Sequence, residues 1–378
     1  MYPRVLHCLA DYKWTGPSGP VVRLCADLSE RGWVSDLACM AAPPGVPNLV
    51  AQRAGEAGVR CLEVFRPHGA WSLREALRAR RRLREAADAD YGIIHFHGGW
   101  DQFIGVLAGS RRTIPTVRTD HGARQYAGGL LERRFYGPRN LDHLIVLSER
   151  HVAQALERLR RAPGTVSAVR GAIDVRAFQP ADPPDGLRAR LGFGEGDVVI
   201  GLVARVQRHR RFDVLLRAAQ TVARRNPCVR IAVCGRGTHR EELLDRPVLA
   251  TGLGGTVLPL GYRSDDYADV LATFDAGMML MPGSDGSCRA AMEMAAMGKP
   301  LVVAGRGVLP DIVLDGRTGI VVDDTPGQLA EAILEMAADG ERRRAWGAAA
   351  RQRMCDLFST SRQAQEVIQV YRTVLGAS

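Results

Sequence analysis

Short runs of Val, Ile and Leu recur along the chain, each followed by a longer stretch in which apolar residues return at helical spacing. Apolar runs of strand length between amphipathic helices are the pattern of parallel sheets covered on both faces. In the first half the runs are VLHCLA (5–10), VSDLACM (34–40), VRCLEVF (59–65), YGIIHFH (91–97), TVRT (116–119), LIVLS (144–148) and VSAV (166–169). A second set comprises VVIGLVA (198–204), VRIAVCG (229–235), TVLPLG (256–261), AGMMLM (276–281), LVVAG (301–305) and GIVV (319–322). The expected class is α/β, with two Rossmann-like domains in tandem. Between the two sets, FQPADPPDGLRARLGFGEGD concentrates Pro, Gly and Asp, which suits an inter-domain linker. The expected boundaries are a first domain over 1–177, a linker over 178–197, a second domain over 198–357 and a C-terminal helix over 358–378.

A length of 378 residues fits two domains, and 46% hydrophobic with 24% charged residues is an ordinary globular balance. The formal net charge is +10, and since Lys13 and Lys299 are the only lysines, nearly all of the basic charge is arginine. That bias either reflects base composition or serves anionic ligands, for which the guanidinium fork is the better partner. Nucleic acid is not expected as a partner, because only 6% of residues are aromatic and no recognition motif accompanies the charge. The eight cysteines form no Cys-x-x-Cys pair, so they read as reduced core thiols of a cytosolic protein. MYPRVLHCLA is too short in its apolar run for a signal peptide, and no stretch approaches a membrane span. The expected location is cytoplasmic, with any membrane contact made from the inner surface.

Three loops have the composition that binds phosphates at the carboxyl ends of strands. Thr15-Gly16-Pro17-Ser18-Gly19-Pro20 follows the first strand and opens a helix with Val21, Leu24 and Leu28 on one face. It reads either as a ligand loop or as a plain strand-to-helix turn. VCGRGTHREEL offers Gly235 and Gly237, with Arg240 where a third glycine would complete a dinucleotide fingerprint, which disfavours a nicotinamide enzyme. The third loop, in MPGSDGSCRAAMEMAAMGKP (281–300), leads into a helix expected from Ser287 to Met297, with Asp285 at its mouth and Glu293 inside it, seven residues lying between them. Backbone N–H groups of Ser287, Cys288 and Arg289 are expected to hold a diphosphate while the two acids accept from sugar hydroxyls. Spacing alone also allows a solvated acid pair.

Taken in order, these landmarks resemble the retaining GT-B glycosyltransferases of family 4, the glycosyl transferases group 1, over residues 4–375. The loop at Thr15-Gly16, IIHFHGGW, TDHG at 119–122, LDHLIVLSE at 141–149, GAID at 171–174 and LVARVQRHRRFDVLLRAA fall in family order, and the Glu, seven residues, Glu motif is matched by Asp285 and Glu293. Thr15, Gly171-Ala172, Arg210-Arg211 and Asp285 depart from the family's usual residues.

The resemblance implies two domains facing a cleft, a C-terminal helix crossing back to the first, and transfer of a sugar from a nucleotide diphosphate donor, UDP- or GDP-linked, with retention. The acceptor is expected to be a glycan or lipid-linked. Arg205 and Arg210 are the implied pair that stabilises the leaving diphosphate, His121 the histidine that meets the sugar, Asp285 the contact to a sugar hydroxyl, and Glu293 the ribose ligand; Gly16, Gly19, Gly235, Gly237, Ser287, Cys288 and Arg289 complete donor binding. No metal or other cofactor is expected, since the metal-dependent fold places an Asp-x-Asp after a strand and Asp88-Ala89-Asp90 precedes one. His97, Trp100 and Asp101 are acceptor candidates, with side-chain alternation expected to send one of His95 and His97 into the sheet and the other outward. WSLREALRARRRLREAA (71–87) predicts a helix with Leu73, Ala76 and Leu77 on its apolar face and Arg74, Arg78, Arg80, Arg81, Arg82 and Arg84 around it, near Arg111 and Arg112; it is either a solvated helix or a contact with anionic lipid. A sugar-nucleotide epimerase, a phosphorylase or a non-catalytic sugar-nucleotide sensor are the alternative readings.

Overall fold

A computed structural model of the chain describes residues 2–66, 73–87, 91–109, 114–122, 126–283 and 288–376. Asp285 and Ser287, together with Asp88, Asp90, Arg111, Arg112 and the side chains of Leu73 and Arg74, lie outside what is described. The chain forms two compact units, one of residues 1–172 and 360–378, the other of residues 173–359.

The first unit runs β1 (Arg4–Leu9), α1 (Ser18–Glu30), β2 (Ser35–Met40), α2 (Leu49–Glu56), β3 (Cys61–Phe65), α3 (Leu73–Ala87), β4 (Tyr91–Phe96), α4 (Gly99–Ala108), β5 (Thr116–Thr119), α5 (Leu130–Phe135), β6 (His143–Val146), α6 (Glu149–Leu159) and β7 (Val166–Ala168). Its seven strands are ordered β3-β2-β1-β4-β5-β6-β7, and the pairings are parallel. Helix α1 buries Val21, Leu24 and Leu28 as the spacing predicts, and Gly32 at φ +83° turns the chain into the next strand.

The second unit runs α7 (Leu187–Arg190), β8 (Val198–Val203), α8 (Phe212–Arg225), β9 (Val229–Cys234), α9 (Arg246–Ala250), β10 (Val257–Gly261), α10 (Tyr267–Ala272), β11 (Ala276–Met279), α11 (Arg289–Ala296), β12 (Leu301–Ala304), α12 (Leu309–Ile312), β13 (Gly319–Val322), α13 (Pro326–Ala338) and α14 (Gly340–Leu357). Its six strands are ordered β10-β9-β8-β11-β12-β13, again in parallel. Helices α8 and α13 cover one face through Leu215, Ala219, Leu329 and Ile333, which close on Ile200, Ile231 and Met278 of the sheet. The last helix, α15 (Thr360–Val374), belongs to the first unit. It buries Ala364, Val367 and Tyr371 against Leu24, Leu28 and Trp33.

The stretch expected as an inter-domain linker, 178–197, is packed into the second unit. Leu187 and Phe193 are buried, and Arg188 donates to the carbonyls of Thr273 at 2.6 Å and Asp197 at 2.7 Å. Pro, Gly and Asp signal irregular backbone; they carry no information on whether that backbone is anchored.

In both sheets the first strand sits between its successor and a later strand. Chain order therefore reverses between β1 and β4 and between β8 and β11. Such switch points open a crevice beyond the carboxyl ends of the two strands. The described loop residues there are 10–17 and 97–98 in the first unit and 204–211, 280–283 and 288 in the second.

Candidate active site

At the switch point of the second unit, β8 leads into a 3-10 turn over Arg208–Arg210 and then Arg211 at φ +60°. The two arginines of the expected basic pair differ in setting. Arg205 is exposed, whereas Arg210 donates from Nη1 to the carbonyls of Met281 at 3.1 Å and Pro282 at 2.7 Å. These carbonyls end the β11 segment, so the Arg210 guanidinium is tied to the strand on the other side of the crevice. The neighbouring Arg211 belongs to a different contact, with Asp324, which Arg306 also reaches at 2.8 Å.

Gly235 and Gly237 have a steric reason to be glycine. A Cβ at 235 would stand 1.9 Å from the Ala204 carbonyl oxygen, and one at 237 would stand 2.1 Å from that of Val206. The loops after β8 and β9 therefore touch backbone to backbone, tied by Ala204 N–H to Cys234 O at 3.0 Å and Val206 N–H to Arg236 O at 3.2 Å. Their glycine identity is explained by packing, without a ligand.

Helix α11 starts at Arg289, two residues later than expected, after Cys288, a buried residue held left-handed at φ +53°. Glu293 is buried on its second turn, and its carboxylate is held at both ends. Tyr267 Oη donates to Oε2 at 2.5 Å and Arg289 Nε stands 3.1 Å from Oε1. A buried carboxylate costs several kcal/mol unless such partners compensate it. Burial, and then the Glu293 charge, push the Tyr267 hydroxyl well above its usual range, so it stays a donor. Tyr267 was not among the sequence candidates; 26 residues separate it from Glu293, beyond any helical spacing.

In the first unit, Thr15, which stands where the family has glycine, donates from Oγ1 to Asp11 at 3.0 Å, and its N–H bonds Ser18 Oγ at 3.1 Å. The Gly16 turn is thus closed upon itself, and Gly19 falls in the first turn of α1. Across the crevice Asp101 is fully buried: Oδ2 accepts from the N–H groups of His97 at 2.9 Å and Gly98 at 2.8 Å, and Oδ1 from Gln102 N–H at 3.1 Å. It caps α4 and is not exposed to an acceptor, a correction to its reading as an acceptor candidate. Burial raises its carboxyl to about 6 despite nearby Arg118 and those N–H groups. Trp100 is half-buried and stacks on Phe103 with ring centres 5.4 Å apart.

His95 and His97 do not point to opposite faces. Residues two apart on a strand share a face, and both rings are buried, stacked 4.2 Å apart. Both join a cluster with His7 of β1. His7 Nδ1 lies 3.0 Å from His97 Nε2, and His97 Nδ1 lies 3.0 Å from Nε2 of His121. Desolvation holds His7 down at about 3 and His95 and His97 well below the usual imidazole value. Among the described residues His7, His95 and His97 also form a group whose metal-ligating atoms lie within 4.8 Å of one another.

Helix α3 turns Ala76, Ala79 and Leu83 into the core of the first unit and leaves Leu77 46% exposed. The apolar face therefore runs through 76, 79 and 83, and not through 77 as expected. Arg81 faces solvent in a pair with Glu85 at 2.7 Å, while Arg84 Nε donates to Ala108 O at 2.7 Å. Among the described residues no helix is long and apolar enough to cross a membrane.

Known proteins resemble this chain over nearly its full length. Residues 20–177 match the glycosyltransferase family 4 profile and residues 185–353 the glycosyl transferases group 1 profile. A D-inositol 3-phosphate glycosyltransferase of Salinispora arenicola is 28% identical over 329 residues, covering 77% of this chain and 70% of that protein. Among solved structures, a glycosyltransferase from Rickettsia africae superposes with a TM-score of 0.84 at 15% identity, over 100% of this chain and 99% of that one. Anabaena HepE, solved with UDP and glucose, gives 0.78 at 16% identity, over 98% and 100%.

Proposed function

The chain belongs to the GT-B glycosyltransferases of group 1 and family 4, and from that premise we propose that it transfers a sugar from a nucleotide diphosphate donor to a glycan or lipid-linked acceptor, with retention of anomeric configuration and without a metal ion. The observation that carries the reading is the switch point of the second unit, where Arg210 is tied to the end of the β11 segment and Glu293 is held by Tyr267 and Arg289 on α11. Departure of a nucleoside diphosphate places negative charge on the leaving oxygen, and fixed cations aimed at that charge lower the barrier without reorganising during the step. Arg210 is held so by its carbonyl contacts; Arg205, which is exposed, adds a second cation. The N-terminus of α11 contributes backbone N–H dipoles from Cys288 and Arg289. Glu293 accepts from the donor ribose, and Asp285 from a hydroxyl of the transferred sugar.

A UDP- or GDP-sugar is the proposed donor, and the UDP bound to the Anabaena neighbour supports the first. From the first unit, His121 hydrogen-bonds the sugar and Trp100 lies on the acceptor side, whereas His97, buried with both ring nitrogens engaged by His7 and His121, is withdrawn as an acceptor contact. The acceptor hydroxyl attacks from the face that the diphosphate leaves. The enzyme is proposed to work in the cytoplasm, at the inner face of a membrane. The test is proton NMR of the glycoside made from an α-linked donor. Retention predicts an α-linked product; a β-linked product overturns the retaining mechanism.

A further inference from the structure

Asp324, two residues past β13, holds the two arginines that flank the contact between Arg210 and the end of the β11 segment, and no donor or acceptor role explains it. Its Oδ2 accepts from Arg211 Nη1 at 2.5 Å and from Arg306 Nε at 2.8 Å. Only 11% of its side chain is exposed, which sets it apart from the solvent-facing ion pairs that contribute little. Hydrogen bonding from Arg306, and then the charge of Arg211, holds the carboxyl below its usual range, so it stays an anion at neutral pH. The other acid near Arg211 is Asp213, an exposed residue whose Oδ1 stands 3.5 Å from Arg211 Nε.

Each of the two arginines adjoins something on which the Arg210 contact depends. Arg211 directly follows Arg210 and lies at φ +60°, ψ +37°, between the turn over Arg208–Arg210 and the start of α8. In that left-handed region a β-carbon crowds the following carbonyl, and glycine is the residue at ease. The backbone at 211 sets how the turn that carries Arg210 meets the helix, so a turn that relaxes there re-aims Arg210. On the other flank, Arg306 precedes Gly307, where a Cβ would stand 2.7 Å from Pro282 Cγ. The loop after β12 thus packs against the residue whose carbonyl Arg210 binds.

We propose that Asp324 is a positioning residue: by clamping Arg211 it holds a left-handed turn that glycine would hold unaided, and so keeps the Arg210 guanidinium on the carbonyls of Met281 and Pro282. Through Arg306 it steadies the opposite flank of the same contact. The clamp is a property of the second unit by itself; its use in turnover rests on the proposal that Arg210 meets the leaving diphosphate. An acid that merely offset positive charge beside a diphosphate would act in the other direction, since its removal would tighten donor binding. A plain structural ion pair would differ again, because loss of one partner would not be repaired by changing the backbone freedom of the other.

The test uses the full chain and two readouts. One is amide hydrogen exchange over residues 205–212, followed by mass spectrometry without any nucleotide. The other is nucleotide release from whichever of UDP-, GDP-, ADP- and TDP-glucose the unaltered protein hydrolyses fastest, with water as acceptor. Asp324→Ala is expected to speed exchange in that segment about tenfold, and to lower kcat about fivefold with less than about a twofold change in donor KM, the split of lost positioning. Adding Arg211→Gly to Asp324→Ala is expected to return both readouts to within about twofold of the unaltered protein, because glycine needs no clamp at that φ. Asp324→Asn, which keeps the shape and loses the charge, serves if Asp324→Ala does not fold. Unchanged exchange in whichever variant folds, no rescue by Arg211→Gly, or tighter donor binding with unaltered kcat overturns the proposal. Arg210→Ala is measured beside them. If it is slow and Asp324→Ala is not, the clamp has no part in turnover and the proposal falls; if it releases nucleotide at the unaltered rate, the leaving-group reading falls, and the exchange data alone decide the clamp.

Discussion

Tyr267 Oη stands 2.5 Å from Glu293 Oε2, a bond from the first turn of α10 to the second turn of α11. It keeps one of two carboxylate oxygens satisfied inside the second unit. The half-exposed Arg289 side chain holds the other at 3.1 Å. Tyr267→Phe leaves the first oxygen buried without that donor, and the expected loss is about 1–3 kcal/mol of unfolding free energy. Urea unfolding at neutral pH measures it, and an unchanged midpoint would show that Glu293 does not depend on Tyr267.

The buried imidazoles predict a pH dependence with a definite sign. His7 is held at about 3 and His143 at about 4, against 6.5 for the exposed ring, and His95 and His97 lie well below that value. The unfolded chain therefore binds more protons than the folded one between those limits, so stability present above pH 6.5 is lost as pH falls, by up to about 1.4 kcal/mol per pH unit for each ring. Asp101 has the opposite sign: its folded value, about 6, lies above the ordinary 3.8, so it favours the fold as pH falls through that window. Asp101→Asn is expected to steepen the loss between pH 6 and pH 4. Urea titrations at half-unit steps would contradict this with a flat profile, or with one that the substitution leaves unchanged.

The leaving-group proposal makes paired predictions. Arg210→Ala is expected to lower turnover at least about tenfold, roughly 1.4 kcal/mol of transition-state stabilisation. Activity of the unaltered enzyme is expected to persist in excess EDTA. Wild-type turnover in the variant removes Arg210 from the reaction, and a loss in EDTA restored by magnesium contradicts a metal-free step.

For α3, the helix presents arginines outward while Ala76, Ala79 and Leu83 face the core. Any lipid contact is therefore electrostatic, worth about 1 kcal/mol per arginine near an anionic surface and weakened by salt. Co-sedimentation with anionic vesicles at low salt is expected to fall when Arg80, Arg81 and Arg82 are replaced by Gln. Equal binding by both proteins, or none by either, rejects the contact.

The architecture was legible because it rests on local patterns: the thirteen strands among the described residues fall on the apolar runs of the sequence. What could not be read depends on distance along the chain or on fit. Tyr371 meets His7 across 364 residues, and no spacing links them. Asp101 looked chemically available, yet the three backbone N–H groups it caps are invisible until α4 is placed against β4. Gly235 and Gly237 suggested a ligand, whereas the carbonyls of Ala204 and Val206 account for them. At Leu77 the helical periodicity was right and the phase was off by less than a turn, which moved one residue out of the core.

The central claim is that the second unit binds a nucleotide diphosphate sugar at the ends of β8 and β11, and a thermal-shift panel of UDP-, GDP-, ADP- and TDP-sugars on the unaltered protein and on Arg210→Ala tests it most directly. Ligand at about 100 times its Kd adds about 2.7 kcal/mol to the folded state. One nucleotide class is expected to raise Tm clearly in the unaltered protein and much less in Arg210→Ala, each shift being measured from that protein's own Tm without ligand. A panel in which no nucleotide sugar moves Tm, or one in which both proteins shift equally, contradicts the claim.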